Sequence, residues 1–324
     1  MAAFIVRRIG QGLIVMALVA TIVFALVHAA PGDPFSAAMD NPSISESVRV
    51  QWRRAYGLDQ PVSVQYAKYV AAVSRGDLGF SFSRQRPVAD VLGDALPNTL
   101  ALMLLGLTAA FALGIATAVA QVKNRGKATD RVLNGISLAL FSVPDFWLAL
   151  LMLVGLAYWI PIFPIGGSVN AITHDYLSAG GRFVDRVNHI ILPAVTLALL
   201  YFPLVARHQR AALLDVLPSE FIATARAKGL TESAVIRRHA LRNALLPIVT
   251  LIGVAFPALL TGAVFIEKVF SWPGMGSVIV NSIGSRDYPL LVASVIMGSA
   301  FVVVGSTIAD LLYRLLDPRM RDER

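Results

Sequence analysis

Residues 219–247 read SEFIATARAKGLTESAVIRRHALRNALLP, a basic stretch set between two long apolar runs. Ser219 is placed to cap a short helix over 220–228, and Gly229 is placed to end that helix in the left-handed conformation. Glu232 offers a second helix start, which leads toward the next apolar run. The stretch is too polar to cross a bilayer, so it predicts a polar connection between two membrane-spanning helices.

The short helix also carries apolar side chains that a plain linker does not need: Phe221, Ile222 and Ala225. A helix of about nine residues is marginal alone in water, so another surface must hold it. Its apolar side lies on a basic segment, which predicts insertion into a groove of a partner protein. The alternative is a solvated basic loop, which explains the arginines and the lysine but not Phe221 and Ile222.

The composition of the whole chain is that of a membrane protein. Hydrophobic residues make up 56% and charged residues 15%, with a mean hydropathy of +0.67. Six apolar stretches have bilayer-spanning length: 9–30, 98–121, 133–159, 190–206, 245–266 and 289–313. We therefore expect an all-α membrane protein with six transmembrane helices in a single domain over 1–324, a count that a broken span would change by one. The first stretch is too long for the apolar core of a signal peptide, so we expect it to be retained.

The distribution of basic residues predicts the orientation. If the N-terminus is cytoplasmic, the inside segments hold 17 of the 28 lysines and arginines, and seven of them lie in 207–243. The long outside loop 31–96 holds seven, matched by seven acidic residues. Because basic excess in short loops sets orientation, we expect both termini inside. The net charge of +8 is thereby explained without nucleic acid, for which no basic face with stacking aromatics is evident.

Two extracytoplasmic segments are expected to be ordered. Within loop 31–96, the periodicity predicts short helices over 48–56 and 62–73. The loop either packs on the outer helix ends or docks an extracytoplasmic binding protein, and position alone does not separate these roles. Loop 160–189 is expected to be irregular because of its glycines and prolines. Segment 269–288 predicts a turn and a short interfacial or re-entrant helix, with its tryptophan at headgroup level.

The sequence gives no support for catalysis or for a metal site. It contains no G-x-x-x-x-G-K-[ST] loop, no G-x-S-x-G and no cysteine. The histidines are scattered without metal-ligand spacing: His28, His174, His189, His208 and His239. We therefore expect no catalytic residue, no metal and no cofactor in this chain.

Ionisable residues inside the spans are few, which disfavours an ion-coupled transporter. Asp145 lies about twelve residues into the third stretch, near mid-bilayer at about 1.5 Å per residue, behind a proline expected to kink the helix. We consider it a candidate for a translocation pathway, or else a carboxylate bonded to a neighbouring helix. Asp310 and Arg314 predict an intrahelical pair, and Glu267–Lys268 an interfacial anchor.

The stretch TARAKGL…HALRNALLP resembles the cytoplasmic coupling loop of ABC-importer permeases, in the variant of the bacterial oligopeptide and dipeptide permeases. The general loop of these importers has a glutamate and a proline where this chain has Ala223 and Arg242, so only its alanine, glycine and leucine fit. Other segments agree in order along the chain: FIVRRIGQGL at 4–13, PGDP at 31–34, GDLGFSFSRQRPV at 76–88, PNTLAL at 97–102, FSVPDFWLAL at 141–150, FIEKVFSWPGMG at 265–276, RDYPLL at 286–291 and DPRMR at 317–321.

The resemblance implies a type I ABC-importer permease fold and a set of partners. This chain would form half of a translocation pathway with a second, homologous permease in the bacterial cytoplasmic membrane. Two ABC ATPase subunits would bind ATP and Mg²⁺ and drive alternating access, and an extracytoplasmic binding protein would deliver peptide. The residues implied in ATPase coupling are Glu220, Phe221, Ile222, Ala223, Thr224, Ala225, Arg226, Lys228, Gly229 and Leu230. The alternatives are an ABC permease for a nickel chelate, an oligosaccharide or another solute, and an ion-coupled secondary transporter.

Overall fold

The computed structural model describes residues 2–29, 45–47, 50, 59–245, 247, 248, 251 and 263–316, with side chains described between 6 and 311. The chain divides into two compact units. Unit 1 comprises Met1–Thr99 with Pro273–Val303, and unit 2 comprises Leu100–Trp272 with Val304–Arg324. The single domain expected over 1–324 stays a prediction.

Among the residues that the structure describes, the regular elements are helices apart from one small hairpin. The helices, in chain order, are α1 (Ala2–Ala29), α2 (Val62–Ser74), α3 (Val88–Lys123), α4 (Ala128–Ser142), α5 (Asp145–Leu153), α6 (Ala179–Val216), α7 (Glu220–Ala227), α8 (Glu232–Ala234), α9 (Leu241–Ala244), α10 (Met275–Gly284) and α11 (Tyr288–Leu316). A π-helical turn over Val154–Trp159 extends α5, a second over Val235–Ala240 joins α8 to α9, and His174–Tyr176 form a 3-10 turn. Residues 263–269 are also helical. Strands β1 (Phe80–Ser81) and β2 (Arg86–Pro87) pair antiparallel, with Phe80 opposite Pro87.

Four helices of the described residues are long and apolar enough to cross a membrane: α1, α3, α6 and α11. The α4–α5 pair counts as a fifth if it forms one span, but it is bent by 105°. The predicted stretch 133–159 is thus interrupted at Pro144, where a kink was expected, and the bend is sharper than a proline kink within one helix. Val143 is extended, with φ −81° and ψ 131°, because the ring of Pro144 disfavours helix in the preceding residue. Most of the predicted span 245–266 lies outside the described residues, and the count of six stays a prediction.

Several predicted boundaries shift because the helices are longer than their apolar cores. Helix α3 begins at Val88, ahead of the predicted loop end at 96, and α6 begins at Ala179 within the loop predicted over 160–189. Helix α6 also continues to Val216. The polar connection predicted over 207–243 therefore begins about ten residues further along the chain than predicted. Helix α2 confirms the helix predicted over 62–73, whereas the one over 48–56 falls mainly outside the described residues.

A buried carboxylate ties the hairpin of unit 1 to the start of α11. Asp287 is 1% exposed and accepts hydrogen bonds from the Ser81 hydroxyl at 2.6 Å and from the Ser83 hydroxyl and amide at 2.7 and 2.9 Å. Its other oxygen accepts from the Leu290 amide at 3.3 Å, the geometry of a helix N-cap. Two segments that are far apart in sequence, 76–88 and 286–291, are thus held together by hydrogen bonds to this carboxylate.

Another pair of hydrogen bonds in unit 1 fixes the turn before α10. The Thr99 hydroxyl accepts from the Met275 amide at 2.8 Å, and the Asn98 amide donates to the Pro273 carbonyl at 3.0 Å. The segments 97–102 and 265–276 therefore meet here. The following helix, α10, confirms the short helix predicted in 269–288.

The core of unit 2 gathers α3, α5, α6 and the helical residues 263–269. Trp272 is 3% exposed because its indole packs in this core, and its predicted place at headgroup level stays a prediction. Glu267 is fully buried rather than exposed as an interfacial anchor. The backbone of Gly166 passes so close to the Phe270 carbonyl that a Cβ there would lie 2.7 Å from the oxygen.

Candidate functional site

Helix α7 is a separate short helix whose ends are set by backbone geometry. Its N-cap, Ser219, donates its hydroxyl to the Val216 carbonyl at 2.7 Å and makes no side-chain cap bond. The predicted Ser219 side-chain cap is therefore wrong, because the hydroxyl bonds back to the preceding turn. Gly229 has φ +76° and its amide donates to the Arg226 carbonyl at 2.9 Å, which confirms the left-handed termination.

One face of α7 is buried within the chain itself. Ile222 is fully buried and Ala225 is 4% exposed. They pack in an apolar group, the inner cluster, with residues of α3, α6 and the stretch 235–244: Ala118, Val122, Ala212, Leu213, Val235, Ile236, Ala240 and Ala244. Ile222 and Ala225 therefore anchor α7 and are not on its outer surface as predicted, because an amphipathic pattern does not say which protein covers the apolar side.

The other candidate residues of the short helix and its turn are exposed. They are Glu220, Phe221, Ala223, Thr224, Arg226, Lys228, Gly229 and Leu230. Phe221 is 44% exposed and Leu230 is 37% exposed, which is unusual for large apolar side chains on a polar connection. Thr224 satisfies its hydroxyl on the Glu220 carbonyl at 3.0 Å. The exposed residues thus include an aromatic ring, a leucine and the ammonium group of Lys228.

A bidentate ion pair closes the turn after α7. The Arg226 guanidinium donates to the two carboxylate oxygens of Glu232 at 2.8 and 3.1 Å. The hydrogen bond to Arg226 lowers the pKa of Glu232, and the same bond raises that of Arg226. Both side chains are about half exposed, at 44% and 53%, so the pair orients the turn more than it stabilises the fold.

Polar contacts fix the helices beneath α7. Gln209 is fully buried in α6 and donates to the Ala244 carbonyl at 3.1 Å, which joins α6 to α9. Asp130 at the start of α4 accepts from Arg210 of α6 at 3.1 Å and from the Gly126 amide at 3.1 Å. Because these contacts and the inner cluster involve α3, α4, α6 and α9, a displacement of α7 is resisted by several helices at once.

Asp145 lies at the bend and not within a kinked helix. It is the first residue of α5, with Pro144 as the N-cap, and is half-buried. A carboxylate at a helix N-terminus is favoured by the exposed amides and the helix dipole. The phenol of Tyr201 in α6 is near enough to interact electrostatically with Asp145. Its role in a pathway stays a prediction.

The sequence reasoning missed a cluster at the start of α6. The Asp185 carboxylate bonds to His174 Nδ1 at 2.6 Å, faces His189 Nδ1 at 3.2 Å and accepts from the Asn170 amide at 3.0 Å. In the sequence, only the i,i+4 spacing of Asp185 and His189 indicates such a contact. Across the described part of the chain, no three His, Asp or Glu side chains are arranged to hold a metal ion. The cluster therefore pins loop 160–178 to α6.

The predicted pair of Asp310 and Arg314 is only partly covered, because the Arg314 side chain lies outside the described residues. Asp310 is not without a partner, and its pairing with Arg314 stays a prediction.

The chain has long apolar helices, a sharply bent helix pair and an ordered polar connection that contains α7. These features define a helical membrane protein with several spans. The chain belongs to the family of binding-protein-dependent transport system inner membrane components, whose family model matches residues 110–322. The model of the N-terminal part of that family matches residues 1–103. The membership predicted from the sequence motifs is thus confirmed, and the chain is a membrane permease component.

Curated relatives cover the whole chain. It is 38% identical to the oligopeptide transport system permease protein AppB of Bacillus subtilis, over 99% of each chain. It is 34% identical to the dipeptide transport system permease protein DppB of Escherichia coli, over 100% of each chain, and 33% identical to the glutathione transport system permease protein GsiC of Salmonella choleraesuis, over 99% of this chain. A solved structure of the MetNI methionine ABC transporter, in inward-facing conformations, shares the fold with a TM-score of 0.56 and 18% identity, covering 70% of this chain and 96% of the other.

Proposed function

We propose that this chain is one permease subunit of an ATP-driven peptide importer. The names of the relatives that align over its full length, with oligopeptide, dipeptide and glutathione as cargo, support a peptide substrate. The sequence lacks a phosphate-binding loop, so the energy comes from a separate ATPase. A second, homologous permease completes the pathway, and an extracytoplasmic binding protein delivers the peptide.

The observation that carries this proposal is that one face of α7 is buried within the chain while the other face is exposed. Ile222 is locked in the inner cluster while Phe221, its neighbour in sequence, projects outward. A helix held in this way transmits a push from a docked protein into α3 and α6, since the packed cluster resists deformation. Two ATPase subunits, which hold ATP and Mg²⁺, apply that push when they close, and the pathway alternates between its inward-open and outward-open states.

The exposed residues take distinct roles in docking. Phe221 and Leu230 fill apolar positions in the ATPase groove, and Lys228 complements an acidic rim. Glu220, Ala223 and Thr224 are the other exposed residues of the helix that the ATPase would meet. Arg226 is already neutralised by Glu232 and positions the turn, so Lys228 supplies the charge complementarity to the ATPase.

The chain lies in the bacterial cytoplasmic membrane with both termini and residues 217–243 inside. The short-loop excess of basic residues supports this orientation. The segment 31–96 is then extracytoplasmic, where it either caps the helices or docks the binding protein. Asp145 is proposed to face the pathway, where its carboxylate meets the ammonium group of a passing peptide.

The coupling role is tested by changing Phe221 to Asp in the assembled transporter. A charge placed in an apolar contact should lower co-purification of the ATPase about tenfold or more while the permease still inserts. The matched control is Thr231→Asp, which adds the same charge at an exposed N-cap position where Asp is favoured. Ile222→Asp should instead reduce the amount of folded permease. Wild-type ATPase binding by Phe221→Asp, or peptide uptake without ATP, would overturn the proposal.

The pathway role is tested by Asp145→Asn, with Asp145→Glu as the charge-conserving control. The amide should lower peptide uptake severalfold without loss of assembled complex, and the glutamate should retain most uptake. Loss of assembly in Asp145→Asn would identify the carboxylate as a structural partner of α6.

A further inference from the structure

Unit 1 contains a groove of about 500 Å³ between α1, α2, the hairpin and the first turns of α11. This volume is in the range of small-molecule sites. Its floor is apolar, formed by Phe24, Val27, Val73, Val292 and Ile296. No step of the proposed transport cycle uses this groove.

The contacts of α2 place the groove at the depth of one leaflet. Helix α2 packs along the last two turns of α1: the Thr21 and Tyr66 hydroxyls are 2.7 Å apart, and His28 Nε2 lies 3.2 Å from the Gln65 amide oxygen. The span of α1 ends at Ala29, so Thr21 lies about 12 Å below its end. Helix α2 is therefore beside the hydrocarbon region and not only above it.

The helices that line the groove also carry exposed apolar side chains on other faces. In α1, Leu18, Ile22 and Leu26 are more than half exposed, and in α2 Val62 and Val70 are also exposed. Exposed aliphatic side chains on a short helix beside a membrane span are typical of a helix lying in the bilayer interface. The helices that line the groove thus also present a surface suited to lipid chains.

Tyr69 lines the groove, and its hydroxyl lacks an acceptor within the described part of the chain. The Tyr69 hydroxyl is buried and makes no hydrogen bond with any residue that the structure describes. Burial raises the pKa of Tyr69, with a smaller effect of Tyr66, so the phenol keeps its proton. An unsatisfied buried donor is costly, which favours a bound acceptor such as an ester carbonyl.

Two side chains of opposite charge also line the groove. Lys68 is exposed and forms no ion pair within the described ranges. Asp77 accepts from the Gly79 amide through one oxygen, at 2.9 Å, and leaves the other available. An ammonium and a carboxylate suit a zwitterionic headgroup better than an anionic one, since each charge finds a partner.

We propose that this groove binds one zwitterionic glycerophospholipid of the phosphatidylethanolamine type. An acyl chain lies on the apolar floor, an ester carbonyl accepts from Tyr69, and Lys68 and Asp77 face the phosphate and the ammonium group. In the orientation proposed above, the lipid belongs to the outer leaflet and fastens α2 to α1 and α11. A free zwitterionic peptide is disfavoured because the floor of the groove is apolar.

The test uses the full chain in vesicles of phosphatidylethanolamine and phosphatidylglycerol at about 3:1, with a trace of phosphatidylethanolamine carrying a diazirine on its acyl chain. After illumination, labelled peptides should map to α2 and to the first turns of α11. Ala72→Trp fills the groove and should lower this labelling about fivefold or more. Ala67→Trp, the same change on the exposed side of α2, should leave it unchanged.

Two further measurements distinguish a zwitterionic lipid in the groove from an anionic lipid or a peptide. Tyr69→Phe, which keeps the ring and removes the donor, should lower labelling about twofold or more. A phosphatidylglycerol probe with the same chain should label several times less. Equal labelling of wild type and Ala72→Trp, equal labelling by both lipids, or loss of labelling when a dipeptide is added would each overturn the proposal.

Discussion

The carboxylate of Asp287 shows how one residue organises a region of this molecule. It is nearly inaccessible, yet it accepts from two hydroxyls and two amides contributed by the hairpin and by α11. A buried charge is tolerated when hydrogen-bond donors surround it, and its removal then leaves those donors unsatisfied.

We therefore expect Asp287→Ala to destabilise unit 1 by about 3 kcal/mol. The apparent melting temperature of the detergent-solubilised permease should fall by about 5 °C or more. Asp90→Ala, an exposed carboxylate in the first turn of α3, should shift it by less than about 2 °C. Equal shifts for the two variants would contradict the role of Asp287.

The Arg226–Glu232 pair has a defined pH dependence. Because its folded-state pKa is lowered from 4.5, Glu232 contributes stability above that value and loses it as the pH falls through the lowered pKa. Half exposure limits the contribution to less than about 1 kcal/mol. Glu232→Gln should therefore speed hydrogen exchange of α7 modestly and equally at pH 6, 7 and 8. The difference from wild type should shrink in about 1 M salt, since salt screens exposed pairs; a difference that grows with salt would contradict this account.

At the scale of the element, α7 is a helix of eight residues that is too short to be stable alone. Three local features hold it: the buried pair Ile222 and Ala225, the Arg226–Glu232 bridge and the left-handed Gly229. The glycine has open space around it, since a Cβ there would meet no atom within 4 Å. A substitution at Gly229 therefore tests backbone conformation alone.

Gly229→Val should cost about 1–2 kcal/mol in the turn, because a β-branched residue resists positive φ. Gly229→Asn should cost less, since asparagine enters this region more readily. Stimulation of ATP hydrolysis by the loaded binding protein should fall in the order wild type, Asn, Val. Equal losses for Asn and Val would show that the side chain, and not the φ angle, matters here.

At the scale of the whole molecule, the sequence predicts the spans better than their interruptions. Helix α6 contains Pro193 and Pro203 and α3 contains Pro97 without ending, whereas the chain breaks at Pro144. A proline removes the same hydrogen bond in each case, and whether neighbouring helices satisfy the freed carbonyl depends on tertiary packing.

The candidate site was predictable in position but not in burial. The cap-to-glycine spacing located α7 within two residues. Its apolar residues were divided by the fold between an internal anchor, Ile222, and an exposed contact, Phe221, because helical periodicity does not identify the covering surface. The histidine cluster around Asp185 joins residues from a loop and a helix, and such contacts across a turn leave no periodic signal.

The orientation of the whole chain is the last expectation, and it rests on charge alone. The sequence has no cysteine, so single introduced cysteines report without a background. Ser45 and Arg237 are both exposed and lie on opposite sides of the membrane if both termini are inside. In intact cells, or spheroplasts where an outer membrane is present, an impermeant maleimide should label Ser45→Cys and spare Arg237→Cys until the membrane is opened. The reverse pattern would place α7 outside, where no ATPase acts, and equal labelling of both in sealed cells would contradict the basic-residue argument itself.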